Sequence, residues 1–311
     1  MVPKKNLKEF SFLVYGLGLS GKSVVNYFKK NKVKNFEVWD DKNRNLYKKI
    51  RSKILKKSLK KVDYIILSPG VSLQKSKYKK VLNKYKKKII TDIDLVFMVK
   101  NDFKTIVVTG TNGKSTTCKI INHVLKKNDY KTFLGGNIGT PILNLKAKKN
   151  NFLIIEASSF QLAHSKFICP DYAFFLNLTN DHLDWHGSKR DYLNSKLKIF
   201  QLQSKNSFAL INKKFKKTFI KRKFLSKTIV PKIENYKKIK FKIKNDYLTS
   251  KINDENMSFV YAFAKLINIG ERSFVKSIKS FKGLSHRFEV FFKKKDITFI
   301  NDSKATSFRA T

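Results

Sequence analysis

The chain has 311 residues, enough for about two domains, each with a core of its own. Lys and Arg outnumber Asp and Glu to give a formal charge of +46, a balance that taken alone points to nucleic acid or an anionic membrane surface. The lysines are spread over almost every segment among many Asn, Ile, Phe and Tyr, and no nucleic-acid module accompanies them, so neither a nucleic-acid nor a membrane partner is expected.

No apolar run approaches the roughly 18 residues of a membrane span, and Met1 to Glu9 is followed by no signal-peptide core. Cys118 and Cys169 are far apart and lack metal-ligand spacing, which predicts free thiols in a reducing, cytoplasmic setting.

In chain order, Phe10 to Tyr15 reads as a strand, Gly16-Leu17-Gly18-Leu19-Ser20-Gly21 as a tight turn and Lys22 to Lys30 as a helix, with Phe36 to Asp40 the next strand. G-x-G-x-x-G between a strand and a helix, with an acidic residue, Asp40, about 20 residues on, is a nucleotide-binding arrangement in which Asp40 would read a ribose or base. Alone it suggests NAD. Val62 to Leu67 is a third strand ending in the loop Ser68-Pro69-Gly70-Val71, and Ile89 to Ile93 a further short one leading into a linker near Asp94 to Lys104.

Thr105 to Thr109 then turns through Gly110-Thr111-Asn112-Gly113 into Lys114-Ser115-Thr116-Thr117 and a helix reaching Lys127. Glycines let backbone N–H groups crowd around an anion, the new helix aims its positive end at the same spot, Lys114 adds a full charge and Ser115 offers a hydroxyl to Mg²⁺. A nucleoside triphosphate is the expected guest. Val108 stands where the common phosphate loop has its first glycine, so this is a G-x-x-G-K-S variant. Further strands are predicted at Lys131 to Leu134, Phe152 to Glu156, Tyr172 to Leu176 and Phe208 to Ile211, and helices at Arg190 to Phe200, Glu255 to Asn268 and Arg272 to Phe281. The lysine-rich stretch 213–244 reads as short strands with solvated faces. After Gly283 come strands Phe288 to Phe292 and Ile297 to Ile300 about a turn at Lys293 to Asp296, then Asn301 to Thr306.

This alternation predicts an α/β protein with mostly parallel sheets. Residues 1–94 are expected to form a Rossmann-like domain and 95–286 a central P-loop ATPase domain. Glu156 ends an apolar strand beside the phosphate loop, where it is either a strand-end carboxylate or a hard oxygen ligand for Mg²⁺. His182 lies in a polar loop at the same edge, and Lys196 is one lysine among dozens on a helix.

Nine strings occur in one order: GLGLSG at 16–21, SPGV at 68–71, TGTNGKSTT at 109–117, GGNIGTP at 135–141, EASSFQL at 156–162, NLTNDHLDWHG at 177–187, SKLKIF at 195–200, GLSHRFE at 283–289 and NDSKAT at 301–306. Together they make the chain resemble the Mur ligases, ATP-dependent amide-forming enzymes of peptidoglycan precursor synthesis. GLGLSG and EASSFQL are similar to the members that add D-glutamate to UDP-N-acetylmuramoyl-L-alanine.

The resemblance implies ATP and two Mg²⁺ ions, with Ser115, Glu156, His182 and a CO₂-carbamylated Lys196 as metal ligands. Lys114, Lys196 and His182 would serve catalysis. Gly110, Thr111, Asn112, Gly113, Lys114, Ser115, Thr116, Asn253, Asn256, Arg287 and Asp302 would hold ATP. Leu19, Ser20, Asp40, Gly70 and Asn137 would face the UDP-linked substrate, and Lys304 and Thr306 would begin the amino-acid site. His123, His164, His186 and His286 are read as structural or exposed. The histidine that opens the family's His-Asn-x-x-Asn stretch is Ile252 here.

The family's third, Rossmann-like domain binds the incoming amino acid, and residues 287–311 correspond only to its first strands. The 311-residue chain is therefore expected to be a fragment or a truncated reading frame that binds MgATP and UDP-N-acetylmuramoyl-L-alanine without ligating, its last two strands being sheet edges without partners; it is also expected to be a monomer. Two other classes remain at this point: an NAD-dependent oxidoreductase, which the separate phosphate loop disfavours, and a nucleotide-binding module without ligase activity.

Overall fold

The computed structural model describes residues 6–42, 47–73, 76–99, 102–287, 289–294 and 297–304. Its first sheet contains β1 (Phe12–Tyr15), β2 (Phe36–Trp39), β3 (Tyr64–Leu67) and β4 (Ile89–Ile90) in the order β2-β1-β3-β4, all parallel. Every residue of β1 is buried because both faces are covered. Phe12 and Val14 pack with Val24 and Phe28 of the helix Leu19–Lys30, while Leu13 and Tyr15 pack on the other side with Leu59 and Leu82. A strand buried on two faces reads as a continuous apolar run, which made it visible in the sequence.

The second sheet comprises β5 (Lys104–Thr109), β6 (Thr132–Gly136), β7 (Phe152–Glu156), β8 (Tyr172–Phe175), β9 (Phe208–Ile211) and β10 (Lys227–Ile229). It is again parallel, in the order β10-β9-β8-β5-β7-β6. Ile106 and Val108 face one core with the helices Lys114–Lys127 and Asp254–Leu266, whose Phe259 and Phe263 meet Phe174; Val107 faces another with Leu197 and Phe200 of the helix Lys189–Gln201. Each such fully buried ring contributes about 2–3 kcal/mol through apolar area removed from water. The α/β class with mostly parallel sheets is as expected.

Two expectations are corrected. Ile89 to Ile93 is a strand only as far as Ile90, and the expected linker begins with a helix, Asp92–Met98, started by a capping box in which Thr91 and Asp94 each receive the other's backbone N–H. That helix is buried against both domains: Leu95 and Met98 belong to the first core, Ile93, Val96 and Phe97 to the central one. The 94/95 boundary thus falls inside a shared helix. In the stretch 213–244, helices Lys216–Arg222 and Ile233–Lys240 flank β10 in place of a set of short strands. Phe219, Tyr236 and Ile239 are its buried anchors; their helical spacing is masked by the lysines between them.

Strands β11 (Glu289–Lys294) and β12 (Ile297–Asn301) pair antiparallel as a separate two-stranded sheet. Phe291, Phe292, Ile297 and Phe299 are exposed on it. Phe288, residues 295–296 of the expected turn and Thr306 lie outside the described residues.

Candidate active site

β5 is flanked by β7 on one side and β8 on the other, so the chain changes direction around it and leaves a crevice at the strands' carboxyl ends. The phosphate loop fills the turn after β5. Gly113 adopts φ +79°, and a Cβ there would stand 2.2 Å from Asn256 Oδ1; glycine is required on both counts. The following helix has no side-chain cap, so its first N–H groups stay available to an anion.

Lys114 folds back over this loop, its Nζ donating to Gly110 O at 3.1 Å and Thr111 O at 2.7 Å. Burial lowers its pKa, against the opposing pull of Glu156. Lys196 is almost wholly buried; its Nζ donates to the same Gly110 carbonyl at 2.7 Å and lies 4.6 Å from the centre of the Tyr192 ring. Burial first, and the neighbouring Lys114 second, hold its pKa well below the usual lysine range. A buried lysine of this kind favours the neutral, nucleophilic amine.

Glu156 ends β7, 2% exposed. Asn137 Nδ2 donates to its Oε1 at 2.8 Å, whereas Oε2 is shielded from solvent and has no hydrogen-bond partner. A buried carboxylate oxygen left open is costly, and beside two lysines and a phosphate loop it fits a divalent cation. Ser115 is buried and its Oγ accepts from Arg287 Nη2 at 3.2 Å. His182 takes a left-handed backbone, packs on Phe160 and Tyr192, and has Nδ1 3.4 Å from Asp181 Oδ1. Tyr192 in turn meets Thr111 of the loop, hydroxyl to hydroxyl at 3.1 Å. Among the described residues no three His, Cys, Asp or Glu groups converge on one point, so the candidate metal site is mixed, drawing on serine and lysine as well.

A cavity of about 320 Å³ opens beside the loop, lined by Asn112, Gly113, Thr116, Asn253, Asn256, Arg287 and Asp302, all expected nucleotide contacts. Sequence reading gave no role to Asn177 and Glu255, which also line it. Asn177 Oδ1 accepts the Thr111 and Asn112 N–H groups at 3.1 and 2.9 Å, its Nδ2 donates to Glu255 Oε2 at 3.3 Å, and Asn212 holds the other Glu255 oxygen. Asking what satisfies the loop's own N–H groups would have led to Asn177, two residues beyond β8. Lys304 is exposed, its backbone N–H donating to His286 O at 3.1 Å, and it does not line this cavity.

A second cavity, about 740 Å³, runs from the glycine turn after β1 to the central domain. Leu19, Ser20, Asp40, Gly70 and Asn137 all line it, together with Gln161. Gly21 has to be glycine because a Cβ there would lie 1.8 Å from Gly16 O. Asp40 spends Oδ2 on the Leu17 N–H at 2.7 Å and Oδ1 on the Lys42 N–H at 2.9 Å, so it shapes the turn as well as facing the cavity. In EASSFQL, Ser158 and Gln161 form the capping box of helix Ser159–His164, and Gln161 Nε2 reaches Asp92 at 3.4 Å. Part of that string is therefore local structure. Of the remaining histidines, His123 bonds Ser277 O, His186 lies between Ser159 and Ser195, His164 is half-buried and His286 is exposed.

The sequence matches the model of the Mur ligase MurD-like N-terminal domain over residues 10–90 and that of the Mur ligase middle domain over 108–273. It is 35% identical to a UDP-N-acetylmuramoylalanine–D-glutamate ligase of Rickettsia prowazekii, over 94% of this chain and 71% of the relative, and 33% identical to one of Aquifex aeolicus, over 95% and 71%. The fold is similar to that of a MurF ligase from Thermotoga maritima solved with ADP (TM-score 0.51, 18% identity, 96% of this chain and 72% of that one). It is also similar to a UDP-N-acetylmuramate:L-alanyl-gamma-D-glutamyl-meso-diaminopimelate ligase from Neisseria meningitides (TM-score 0.53, 13% identity, 89% and 99%). With two parallel sheets meeting at a phosphate loop, the two domain models in chain order and relatives matched along nearly its whole length, the chain belongs to the Mur ligase family.

Proposed function

We propose that the chain is an ATP-dependent ligase that adds D-glutamate to UDP-N-acetylmuramoyl-L-alanine in peptidoglycan precursor synthesis. One observation carries this reading: Asn137 lines the larger cavity and at the same time donates to Glu156 beside Lys114 and the phosphate loop. A substrate held by the first domain could thus present a carboxylate where the terminal phosphate of ATP would lie.

That carboxylate oxygen attacks the γ-phosphorus, the bond to ADP breaks, and an acyl phosphate results. The amine of D-glutamate then attacks the acyl carbon, and phosphate leaves from a tetrahedral intermediate. Lys114 exchanges its loop carbonyls for phosphoryl oxygens and neutralises the charge spread over the transferring group, while the loop N–H groups hold it in line. Gly110, Thr111, Asn112, Gly113, Ser115 and Thr116 cradle the phosphates; Asn253, Asn256, Arg287 and Asp302 enclose the rest of the nucleotide. Leu19, Ser20, Asp40 and Gly70 hold the UDP end, and Lys304 with Thr306 begins the amino-acid site.

Two Mg²⁺ ions, held by Ser115, Glu156, His182 and the modified Lys196, would supply charge neutralisation for the phosphoryl oxygens. The neutral Lys196 amine attacks CO₂, forming an N–C bond and releasing one proton to solvent. The resulting carbamate keeps an N–H for Gly110 O and turns a cation into a metal-binding anion. Residues 1–94, 95–286 and 287–311 serve UDP binding, ATP chemistry and amino-acid binding in turn. The protein is a cytoplasmic monomer that uses neither nucleic acid nor membrane; among the described residues no helix is long and apolar enough to cross a bilayer.

Competition titration tests the reading. UDP-N-acetylmuramoyl-L-alanine should bind in preference to NAD, and MgATP should bind alongside it at the phosphate loop. Tighter binding of NAD overturns it.

A further inference from the structure

A third cavity of about 410 Å³ lies at the seam of the two domains, separate from both nucleotide cavities. The first domain contributes Leu73, Asn83 and Lys86, and the central domain His164, Trp185, Asn194 and Lys198 among others. None of these has a part in the ligase reading above. The volume falls in the range of small-ligand sites.

Positive groups predominate around it, with Asp94 the opposing charge on Lys198. His164 Nε2 is shielded from solvent and has no hydrogen-bond partner. Lys198 Nζ donates to Ala163 O at 2.5 Å and Ser165 O at 3.3 Å, which leaves the third ammonium N–H. Asn194 receives Arg222 on its Oδ1 at 2.5 Å, turning its NH₂ into the free end. Asp191 is the carboxylate in the lining, and its Oδ2 accepts from Ser188 Oγ. The positive groups crowd one another: after burial, Lys198, Lys86, His186 and Lys166 all depress the His164 pKa, to about 4. Here exposed Lys86 of the first domain and partly buried Lys198 of the central domain border one half-open cavity, and the His164 ring at its wall carries a nitrogen without a partner.

We propose that this seam cavity binds a phosphate dianion, as the free ion or as the phosphoryl group of a small monoester, between Lys86 of the first domain and His164 and Lys198 of the central one. Amide and imidazole N–H groups with two ammonium groups match several oxygens of one dianion. His164 takes part as the Nε2–H tautomer. A bound anion joins the two domains across the seam and restrains their relative movement.

The phosphate loop also attracts phosphate, so the titration is carried out on the Lys114→Ala chain at constant ionic strength. Inorganic phosphate and glycerol phosphate are added separately, and the five histidine side chains are followed in long-range ¹H–¹⁵N spectra. The expected result is a saturable shift of the His164 resonances in the millimolar range, weakened about tenfold or more by Lys86→Glu, a charge reversal at an exposed and structurally tolerant position. Tighter binding of the monoester identifies a phosphorylated metabolite as the occupant, and tighter binding of inorganic phosphate identifies the free ion. Absence of saturation with either probe, or equal affinity in the Lys86→Glu chain, overturns the proposal. Ligase activity plays no part in the readout, so its presence or absence leaves this test unaffected.

Discussion

The two glycine turns, one after β1 and one after β5, occupy the same place in two parallel sheets and are chemically unlike. Both follow a strand with an apolar centre, both sit where strands depart to either side, and both need glycine because backbone or a side chain approaches within van der Waals distance, Gly16 O at Gly21 and Asn256 at Gly113. The first is tied down by a carboxylate, Asp40 on the Leu17 N–H. The second gathers two lysines on one carbonyl and a buried carboxylate oxygen without a partner. Shared topology supplies a crevice; the side chains placed at its rim decide what kind of ligand it suits.

The largest effect that would separate the two turns is expected from Lys114→Ala. Turnover should fall about 10²- to 10³-fold, with binding of an ATP analogue weakened and the unfolding midpoint unchanged, because a charge at the reacting group is lost with little packing. Unchanged affinity and turnover would remove the distinction. Next comes Lys196→Ala, with a loss of about 10- to 100-fold, the scale of lost metal support. Added formate should restore part of it, and ¹³C-bicarbonate should label the wild-type side chain but not the variant. An unlabelled wild-type lysine in bicarbonate would sink the carbamate.

Asp40→Ala should act on the other turn alone. Loss of its hydrogen bonds is worth about 1–2 kcal/mol, so affinity for the UDP-linked substrate should drop about tenfold while binding of an ATP analogue stays the same. Equal loss at both sites would mean that the turns are not independent.

The smallest effect concerns the joint between them. Asp94, buried in the shared helix, accepts from the N–H groups of Lys166 and Phe167 at 2.9 and 2.7 Å, and burial raises its pKa to about 6 despite them. A carboxyl with a raised folded-state pKa stabilises the fold fully below its unfolded value near 4, and that contribution is lost as pH rises through about 6. Asp94→Asn should therefore flatten the change in denaturation midpoint between pH 4 and 6. An identical pH slope in variant and wild type would show that Asp94 does not titrate in this window.

Continuous apolar runs and glycine spacing made β1, β5, β7 and the phosphate loop readable, because local sterics and two-sided burial leave a local signature. The helices at 216–240 were not readable, since their few buried anchors, Phe219, Tyr236 and Ile239, are diluted by lysines whose solvation costs nothing either way. The helix Asp92–Met98 is not legible in the sequence because it is buried on every side, its aspartates included, a burial that only two flanking cores provide.

By itself the sequence determined the α/β alternation, the two glycine turns and the identity of Lys114, Glu156 and Asn137 as residues at strand and helix ends. Tertiary structure alone decided that Lys196 shares a carbonyl with Lys114, that one Glu156 oxygen is left open, and that Asn177 and Glu255 brace the loop. These are matters of burial and of contacts between residues tens of positions apart. Parallel sheets bring such residues together through crossovers, whose side-chain meetings have no counterpart in local spacing.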